Sequence, residues 1–340
     1  MCKNHITLQP GGLVFHGIRS ETILQAAIRH GVGLPYGCRD GACGACKCRL
    51  LQGQVEHGSH QASALSEAER NDGFVLACRS VALTDLVIQS KRAFNGSVPT
   101  VRKLVARVTS LKRASADVME VSLTLPPGTF DHYRAGQYLD VLLQDGSRRS
   151  YSMANAPGDS SRADLHIRHM PGGRFTDHVF GTMKVREILR IEGPHGSFFL
   201  RDGSKPIVLL ASGTGFAPIQ ALLQQMHSTG SNRLASLYWG GRWPADLYRG
   251  DWIKAQLALW PALRYAPVLS QLTRKDGWDG RTGLVHQAVA DDFPDLSGHQ
   301  VYACGAPAMV QSARANLIER CNLSPDDFFA DAFLSAMDKA

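Results

Sequence analysis

No stretch of the 340 residues approaches the roughly 18 uninterrupted apolar positions that a membrane span needs. The opening residues, Met1 to Pro10, lack the charged-then-apolar pattern of a secretory signal. A cytoplasmic protein without a membrane span is therefore expected. There is no basic run of five or more, and the formal net charge of +7 is modest for this length. Nucleic-acid binding is accordingly excluded from the reading. Internal repeats and low-complexity segments are missing, which excludes solenoids and tail-like interaction segments. No Ser/His/Asp triad or carboxylate pair is placed to act, so nothing points to hydrolysis. Disulfides are not expected either, because the cytosol keeps thiols reduced. What remains is an ordinary globular composition, 44% hydrophobic and 20% charged, in a chain long enough for two or three domains.

Against this background the eight cysteines stand out, because five of them fall between Cys38 and Cys78. Clustered cysteines in a reduced compartment point to metal or redox chemistry. Cys38, Cys43 and Cys46 have the spacing C-x4-C-x2-C, and Cys78 follows at a distance. This is the plant-type ferredoxin spacing for a [2Fe–2S] cluster. Gly37, Gly41 and Gly44 lie within the string Tyr36 to Cys46. Small residues let the backbone approach the sulfides and turn its N–H groups towards a negatively charged cluster. Structural zinc and free thiols are the competing readings, and structural zinc favours paired C-x2–4-C clips, which this spacing does not show. Cys48 reads as a buried small hydrophobe, and Cys2 and Cys321 carry no assignment.

The rest of the chain divides by pattern. Ser20 reads as the N-cap of a helix with Glu21 in its first turn, apolar Ile23, Leu24, Ala27 and Ile28, and Gly31 as its stop. Ser66 and Glu69 have capping-box spacing, with Leu65 in the staple position. Lys91 to Pro99 reads as a linker. Strand-like runs follow at Leu104–Val108, Glu120–Leu125, Tyr138–Leu143, Leu165–Arg168 and Ile188–Ile191, separated by turn residues, as in a small antiparallel barrel. From Lys205 the rhythm becomes strand then helix, with strands at Ile207–Ala211, Leu234–Trp239 and His299–Ala303. That alternation predicts a parallel sheet covered by helices.

With these motifs in place the chain resembles a plant-type ferredoxin over its first 90 or so residues and the ferredoxin–NADP reductase superfamily over the remainder. The combined order resembles the one-chain reductase components of bacterial ring-hydroxylating dioxygenases and related oxygenases. It is also similar to the reductase used in 3,6-dideoxysugar formation. The resemblance implies a β-grasp α+β ferredoxin domain at 1–92, an antiparallel β-barrel flavin domain at 101–200 and an α/β parallel-sheet nucleotide domain at 205–340.

It also implies roles for individual residues. Arg149-Ser150-Tyr151-Ser152 matches the family's R-x-Y-[ST] flavin motif. By resemblance Arg149 pairs the pyrophosphate, Tyr151 packs on the isoalloxazine and Ser152 bonds near its N5, with Ser150 between them. Gly172-Gly173-Arg174-Phe175-Thr176 matches G-G-x-x-[ST], where Gly172, Gly173 and Thr176 open a helix that can hold a pyrophosphate. His166, Ile167 and Arg168 precede it and are expected against the cofactor's tail. Gly213-Thr214-Gly215-Phe216-Ala217-Pro218 matches the superfamily's nicotinamide turn. Gly213, Thr214 and Gly215 let the dinucleotide approach, and Pro218 suits a first helical turn. Cys304-Gly305-Ala306-Pro307 matches C-G-x-P, which would set Cys304 and Gly305 beside the nicotinamide. Asp331-Ala332-Phe333 resembles the closing segment whose aromatic covers the flavin.

The strand Tyr265–Leu269 is followed by Ser270-Gln271 rather than Ser-Arg, so the arginine for a 2′-phosphate is missing. Arg242 remains as a candidate for that phosphate or for the adenosine diphosphate moiety. The expected cofactors are FAD, a [2Fe–2S] cluster and NADH, with NADPH less favoured. The expected partner is a terminal oxygenase or an intermediate electron-accepting protein. A deoxysugar dehydratase partner, a redox sensor and a zinc protein are the competing readings.

Overall fold

The structure is a computed structural model that describes residues 3–91, 93, 99–130, 133–158, 161–271 and 277–334. Cys2 and most of the linker read at Lys91 to Pro99 lie outside the described residues. The chain forms two compact units, the first built mainly on Met1–Thr100 and the second on Val101–His195 and Phe199–Phe333.

In the first unit the elements run β1 (Lys3–Gln9), β2 (Leu13–Ile18), α1 (Ile23–Arg29), β3 (Lys47–Gln52), β4 (Val55–His57), α2 (Glu67–Asn71), β5 (Phe74–Leu76), β6 (Ser80–Ala82) and β7 (Leu86–Gln89). Five strands form a mixed sheet in the order β2-β1-β7-β3-β5, with β1 and β7 parallel at its centre. The alternation of Ile6 and Leu8 on β1 with Leu86 and Ile88 on β7 presents one apolar face. Helix α1 buries Ile23, Leu24, Ala26 and Ala27, and these residues share one core with that face.

The helix starts two residues later than the sequence suggests. Thr22, not Ser20, is the N-cap, and Gln25 at N3 returns the bond to the Thr22 N–H. Ser20 as cap would place Ile23 at N3, which has nothing to return. Glu21 instead accepts from the Ile18 N–H and pairs with Arg29. The Ser66–Glu69 capping box is present as read, and it opens α2.

The second unit opens with an antiparallel barrel. Its elements are β8 (Arg102–Arg113), β9 (Val118–Thr124), β10 (Tyr138–Leu142), β11 (Arg148–Ser152), β12 (Arg162–Arg168), α3 (Arg174–Gly181) and β13 (Ile188–His195). The strand order is β11-β10-β13-β8-β9-β12, and a bridge between Met153 and Leu165 joins the two edges. Closure removes both free edges. Val108, Val121, Leu139, Val141, Ile167 and Ile191 fill the interior.

A parallel sheet completes the unit. It comprises β14 (Ile207–Ser212), α4 (Phe216–Ser228), β15 (Ala235–Gly241), α5 (Gly250–Leu259), β16 (Leu263–Leu269), β17 (Arg281–Thr282), α6 (Val285–Asp292), β18 (Gln300–Gly305), α7 (Pro307–Arg320) and β19 (Phe328–Ala332). The order β17-β16-β15-β14-β18-β19 reverses direction between β14 and β18. Ligands of such sheets bind outside the carboxyl ends of the strands at that switch point. The Gly213–Gly215 turn and the Cys304-Gly305 pair both lie there. Among the described residues no helix is long and apolar enough to cross a membrane.

Candidate functional site

Cys38, Cys43 and Cys46 lie on the loop between α1 and β3, and Cys78 follows β5. Arg39, Gly41 and Gly44 adopt left-handed conformations, with φ of 64°, 79° and 71°. These coil the loop so that its N–H groups turn towards the sulfurs. The Cys38 N–H donates to Cys43 Sγ and the Asp40 N–H to Cys38 Sγ, each at 3.4 Å. A Cβ on Gly41 would come within 2.8 Å of Arg79 Cγ, and one on Gly44 within 3.2 Å of the Ala64 carbonyl. Both positions therefore exclude larger residues on two grounds, conformation and space.

The sulfurs form two pairs, Cys38 with Cys43 and Cys46 with Cys78. The Cys43 thiol and the loop N–H groups stabilise the Cys38 thiolate, whose pKa drops to about 5. Cys43 is pushed up as the partner that keeps the proton. In the second pair Cys46 is raised and Cys78 lowered for the same reason. Among the described residues the one group of three or more potential ligand atoms mutually within 4.8 Å is Asp140, Glu192 and His195. Cys46 also feels Cys43 and Cys78 feels Cys38, so the four sulfurs form one donor set of two pairs, which fits the two irons of a [2Fe–2S] cluster.

The Asp140 group has its own compensation. Ser150 Oγ donates to Asp140 at 2.7 Å, Arg148 Nε lies 3.7 Å from that carboxylate, and Lys103 Nζ lies 3.5 Å from Glu192. Asp140 stands opposite Ser150 on one neighbouring strand and Glu192 on the other. This network pins the face of β11 that carries Ser150 and Ser152. On the opposite face Arg149 and Tyr151 alternate with them. The Tyr151 ring lies 5.5 Å from Phe175 at 44°, and burial pushes its phenol pKa up. Arg149 donates to the Arg148 carbonyl.

Gly172 (φ 79°) and Gly173 form the turn before α3. A Cβ on Gly173 would lie 2.6 Å from Thr176 Oγ1 and 2.8 Å from the Met170 carbonyl. Thr176 spends its hydroxyl inside this turn, donating to the Met170 carbonyl and accepting from the Met170 N–H. No side chain caps α3, so its first N–H groups are open to an acceptor. On β12, Ile167 points into the barrel core. His166 is buried and its pKa falls to about 3 through burial and the nearby Arg249, so the ring is neutral. Its Nδ1 meets the Tyr248 hydroxyl at 3.0 Å, whereas the buried Nε2 has no partner among the described residues. That orphaned atom and the open helix end fit a bound cofactor.

Arg168 and Arg242 are held by carboxylates that the sequence reading did not single out. Arg168 Nη2 donates to Asp246 at 2.8 Å and its Nε lies 3.0 Å from Asp117. Arg242 gives Asp246 both its backbone N–H, at 2.8 Å, and its Nε, at 3.3 Å. Burial alone would raise the Asp246 pKa, but Arg242 and Arg168 more than offset it and hold the carboxyl below its ordinary range. The spacing of Arg242 and Asp246 was the available signal; Asp117 offered none.

At the switch point two turns interlock. A Cβ on Gly215 would lie 2.2 Å from the Cys304 carbonyl oxygen, and one on Gly305 (φ 136°) 2.2 Å from Ser212 Oγ. Gly213 (φ 52°) abuts Arg168, and its carbonyl accepts from Trp239 Nε1 at 3.0 Å. Thr214 lies between the two glycines in the same 3-10 turn. Pro218 is buried in the first turn of α4. Cys304 is fully buried opposite Asp331 across the β18–β19 pair, and burial followed by that carboxylate drives its thiol well above the ordinary range. Asp331 Oδ2 in turn accepts from Ser152 Oγ at 3.4 Å. Strand β11 and the end of β18 at the switch point are therefore joined through Asp331, a residue of the closing segment. Phe333 is fixed through its N–H, which donates to the Gly305 carbonyl at 2.8 Å.

Comparison with known proteins gives three domain matches in series. Residues 6–83 match the 2Fe-2S iron-sulfur cluster binding domain, 105–200 the oxidoreductase FAD-binding domain and 209–315 the oxidoreductase NAD-binding domain. The chain is 37% identical over 330 residues to the CDP-6-deoxy-L-threo-D-glycero-4-hexulose-3-dehydrase reductase of Yersinia pseudotuberculosis, covering 97% of this chain and 98% of that protein. It is also 37% identical over 338 residues to terephthalate 1,2-dioxygenase reductase component 1 of a Comamonas species, covering 98% of each. Among solved structures, the Amycolatopsis cytochrome P450 reductase GcoB superposes with a TM-score of 0.82 at 31% identity, over 98% of this chain and 99% of that one.

Proposed function

Because the chain belongs to the family of one-chain reductases that join a 2Fe-2S domain to FAD-binding and NAD-binding oxidoreductase domains, we propose that it carries electrons from NADH to the oxygenase component of a ring-hydroxylating system. Nicotinamide yields two electrons as hydride and a [2Fe–2S] cluster accepts one, so a flavin between them supplies the conversion. The observation that carries this reading is the Ser152–Asp331–Cys304 constellation, which unites the flavin strand with the strand ends at the switch point. The equal identity to a dehydrase reductase keeps a deoxysugar-forming dehydratase as the second acceptor. The domains are taken as 1–92, 101–200 and 205–340, and the compartment as the cytoplasm.

The chain's own residues divide the work. Cys38, Cys43, Cys46 and Cys78 hold the cluster. Arg149, Tyr151 and the Gly172-Gly173 helix end bind FAD, and the neutral His166 presents its free Nε2 to it. Ser152 and Asp331 hold a hydroxyl at the reacting edge, while Gly213, Gly215 and Gly305 let nicotinamide lie against backbone. Cys304 and Phe333 flank it.

Preference for NADH follows from Asp246. It lies just past the end of β15, where an acidic residue suits a ribose 2′-hydroxyl and an arginine suits a 2′-phosphate. Asp246 both occupies Arg242 and adds a negative charge of its own. Asp246→Ser is expected to raise kcat/KM for NADPH relative to NADH by about tenfold or more, since like-charge juxtaposition costs several kcal/mol. Steady-state rates with ferricyanide and each nucleotide check this; an unchanged ratio removes Asp246 from the specificity argument.

An anaerobic titration followed by visible absorption tests the function itself. One FAD and one cluster hold three electrons, so about 1.5 equivalents of NADH bleach both chromophores. If protein purified without oxygen shows neither a flavin nor an iron–sulfur band, the reading is wrong.

A further inference from the structure

Next to the fourth cysteine stands a charged side chain whose placement the four ligands do not require. Arg79 follows Cys78, and its guanidinium is gripped at two points by one residue. Nε donates to the Ser59 carbonyl and Nη2 to Ser59 Oγ, both at 2.8 Å. The backbone is fixed as well: the Arg79 N–H donates to the Leu76 carbonyl at 2.9 Å, and the Arg79 carbonyl accepts from the Gly58 N–H at 2.7 Å. The aliphatic stem crosses Gly41 of the cysteine loop, so closely that a Cβ there would lie 2.8 Å from Arg79 Cγ. Gly58 is equally confined, with a Cβ falling 2.7 Å from the Arg79 carbonyl. The Gln61 N–H closes the arrangement on the Gly41 carbonyl at 3.0 Å. Among the described residues no carboxylate pairs with Arg79, unlike Arg29, Arg168 or Arg281.

An unpaired guanidinium tied down by neutral acceptors keeps its full positive charge in one place. A long side chain gives up rotamer freedom for this, and an ordinary surface arginine would not be clamped between two glycines. We propose that Arg79 is a positioning residue that holds one fixed positive charge beside the Cys78 ligand and thereby raises the reduction potential of the cluster. The proposal rests on the reading of Cys38, Cys43, Cys46 and Cys78 as the ligands of that cluster. A reduced cluster carries one more negative charge than an oxidised one, so a nearby cation favours reduction. Net charge and second-sphere contacts are among the determinants of such potentials.

The test is an EPR-monitored redox titration of the full chain, with R79Q, R79K and S59A compared to the parent. R79Q is expected to lower the equilibrium constant for cluster reduction about tenfold, which is about 59 mV for one electron. R79K, which keeps the charge, is expected to retain most of the parent potential. S59A removes the Nη2 contact and leaves the bond from Nε to the carbonyl of residue 59, so it is expected to lower the potential by less than R79Q does. An unchanged potential in R79Q overturns the proposal, as does an R79K shift as large as that of R79Q, because then packing and not charge is responsible. Should R79Q fail to load its cluster, R79M, which keeps an unbranched stem and loses the charge, decides in its place: a lowered potential supports the proposal and an unchanged one overturns it. A parent protein without any cluster signal would instead refute the ligand reading beneath it.

Discussion

Cys43→Ser lowers electron delivery to cytochrome c by about a hundredfold or more, while NADH–ferricyanide turnover stays within about twofold of the parent. The asymmetry follows from where the residue sits. Cys43 lies on the Cys38–Cys46 loop of the first unit and pairs with Cys38. The groups assigned to FAD and nicotinamide, from Arg149 to Phe333, belong to the second. Ferricyanide can be reduced at a flavin, whereas a one-electron protein acceptor depends on the cluster. Visible absorption of the variant should show flavin bands with the iron–sulfur contribution lost or altered. If cytochrome c reduction survives at the parent rate, the cluster is not the outlet.

Gly215→Ala removes NADH-dependent turnover with every acceptor and lowers the melting temperature of the second unit. The added methyl group would meet the Cys304 carbonyl oxygen at 2.2 Å, its carbon at 2.5 Å and Gly305 Cα at 2.7 Å. All three are backbone atoms of β18, held by the pairing of Cys304 with β14 and of Gly305 with β19, so no side chain can swing aside. Overpacking of this kind costs about 1–3 kcal/mol, and more where the obstacle is main chain. Gly298→Ala is the matched control, since nothing lies within 4 Å of a Cβ there. Thermal unfolding and NADH–ferricyanide rates of the two variants decide the matter. If Gly215→Ala behaves like the control, the two turns do not interlock as described.

The parts of this protein that the sequence made readable are those in which chemistry is compressed into a short string. The cysteine spacing, the glycines beside it and the strand-to-turn passage at Ile207–Gly215 each require particular residues at fixed offsets. The capping of α2 was readable for the same reason. The start of α1 was misread because Ser20 and Thr22 are both good caps, and only the residue three positions on discriminates between them. The long-range pairs were out of reach. Arg168 meets Asp117 and Asp246, which are 51 and 78 positions away, and a side chain that looks ready for a phosphate carries no mark of the carboxylates that claim it. Asp331 presents the same difficulty, since its position opposite Cys304 depends on the pairing of β18 with β19. Thr176 could be placed in the right turn by motif, but not recognised as the residue that ties the turn together.

The small mixed sheet of the first unit has a consequence for inheritance. Among the described residues every buried member of its apolar core lies between Ile6 and Ile88, and so do the four cysteines proposed as cluster ligands. A segment that supplies both its own interior and its own redox centre can be exchanged as a part. Swapping the intervals 1–92 between two such chains should yield chimeras that keep the nucleotide preference of one parent and the protein acceptor of the other. Recombination at the polar connector, with a match at residues 196–198 of the same unit, whose Ser197 Oγ accepts from the Tyr36 N–H at 2.8 Å, then redirects the same reducing power to a new metabolic client.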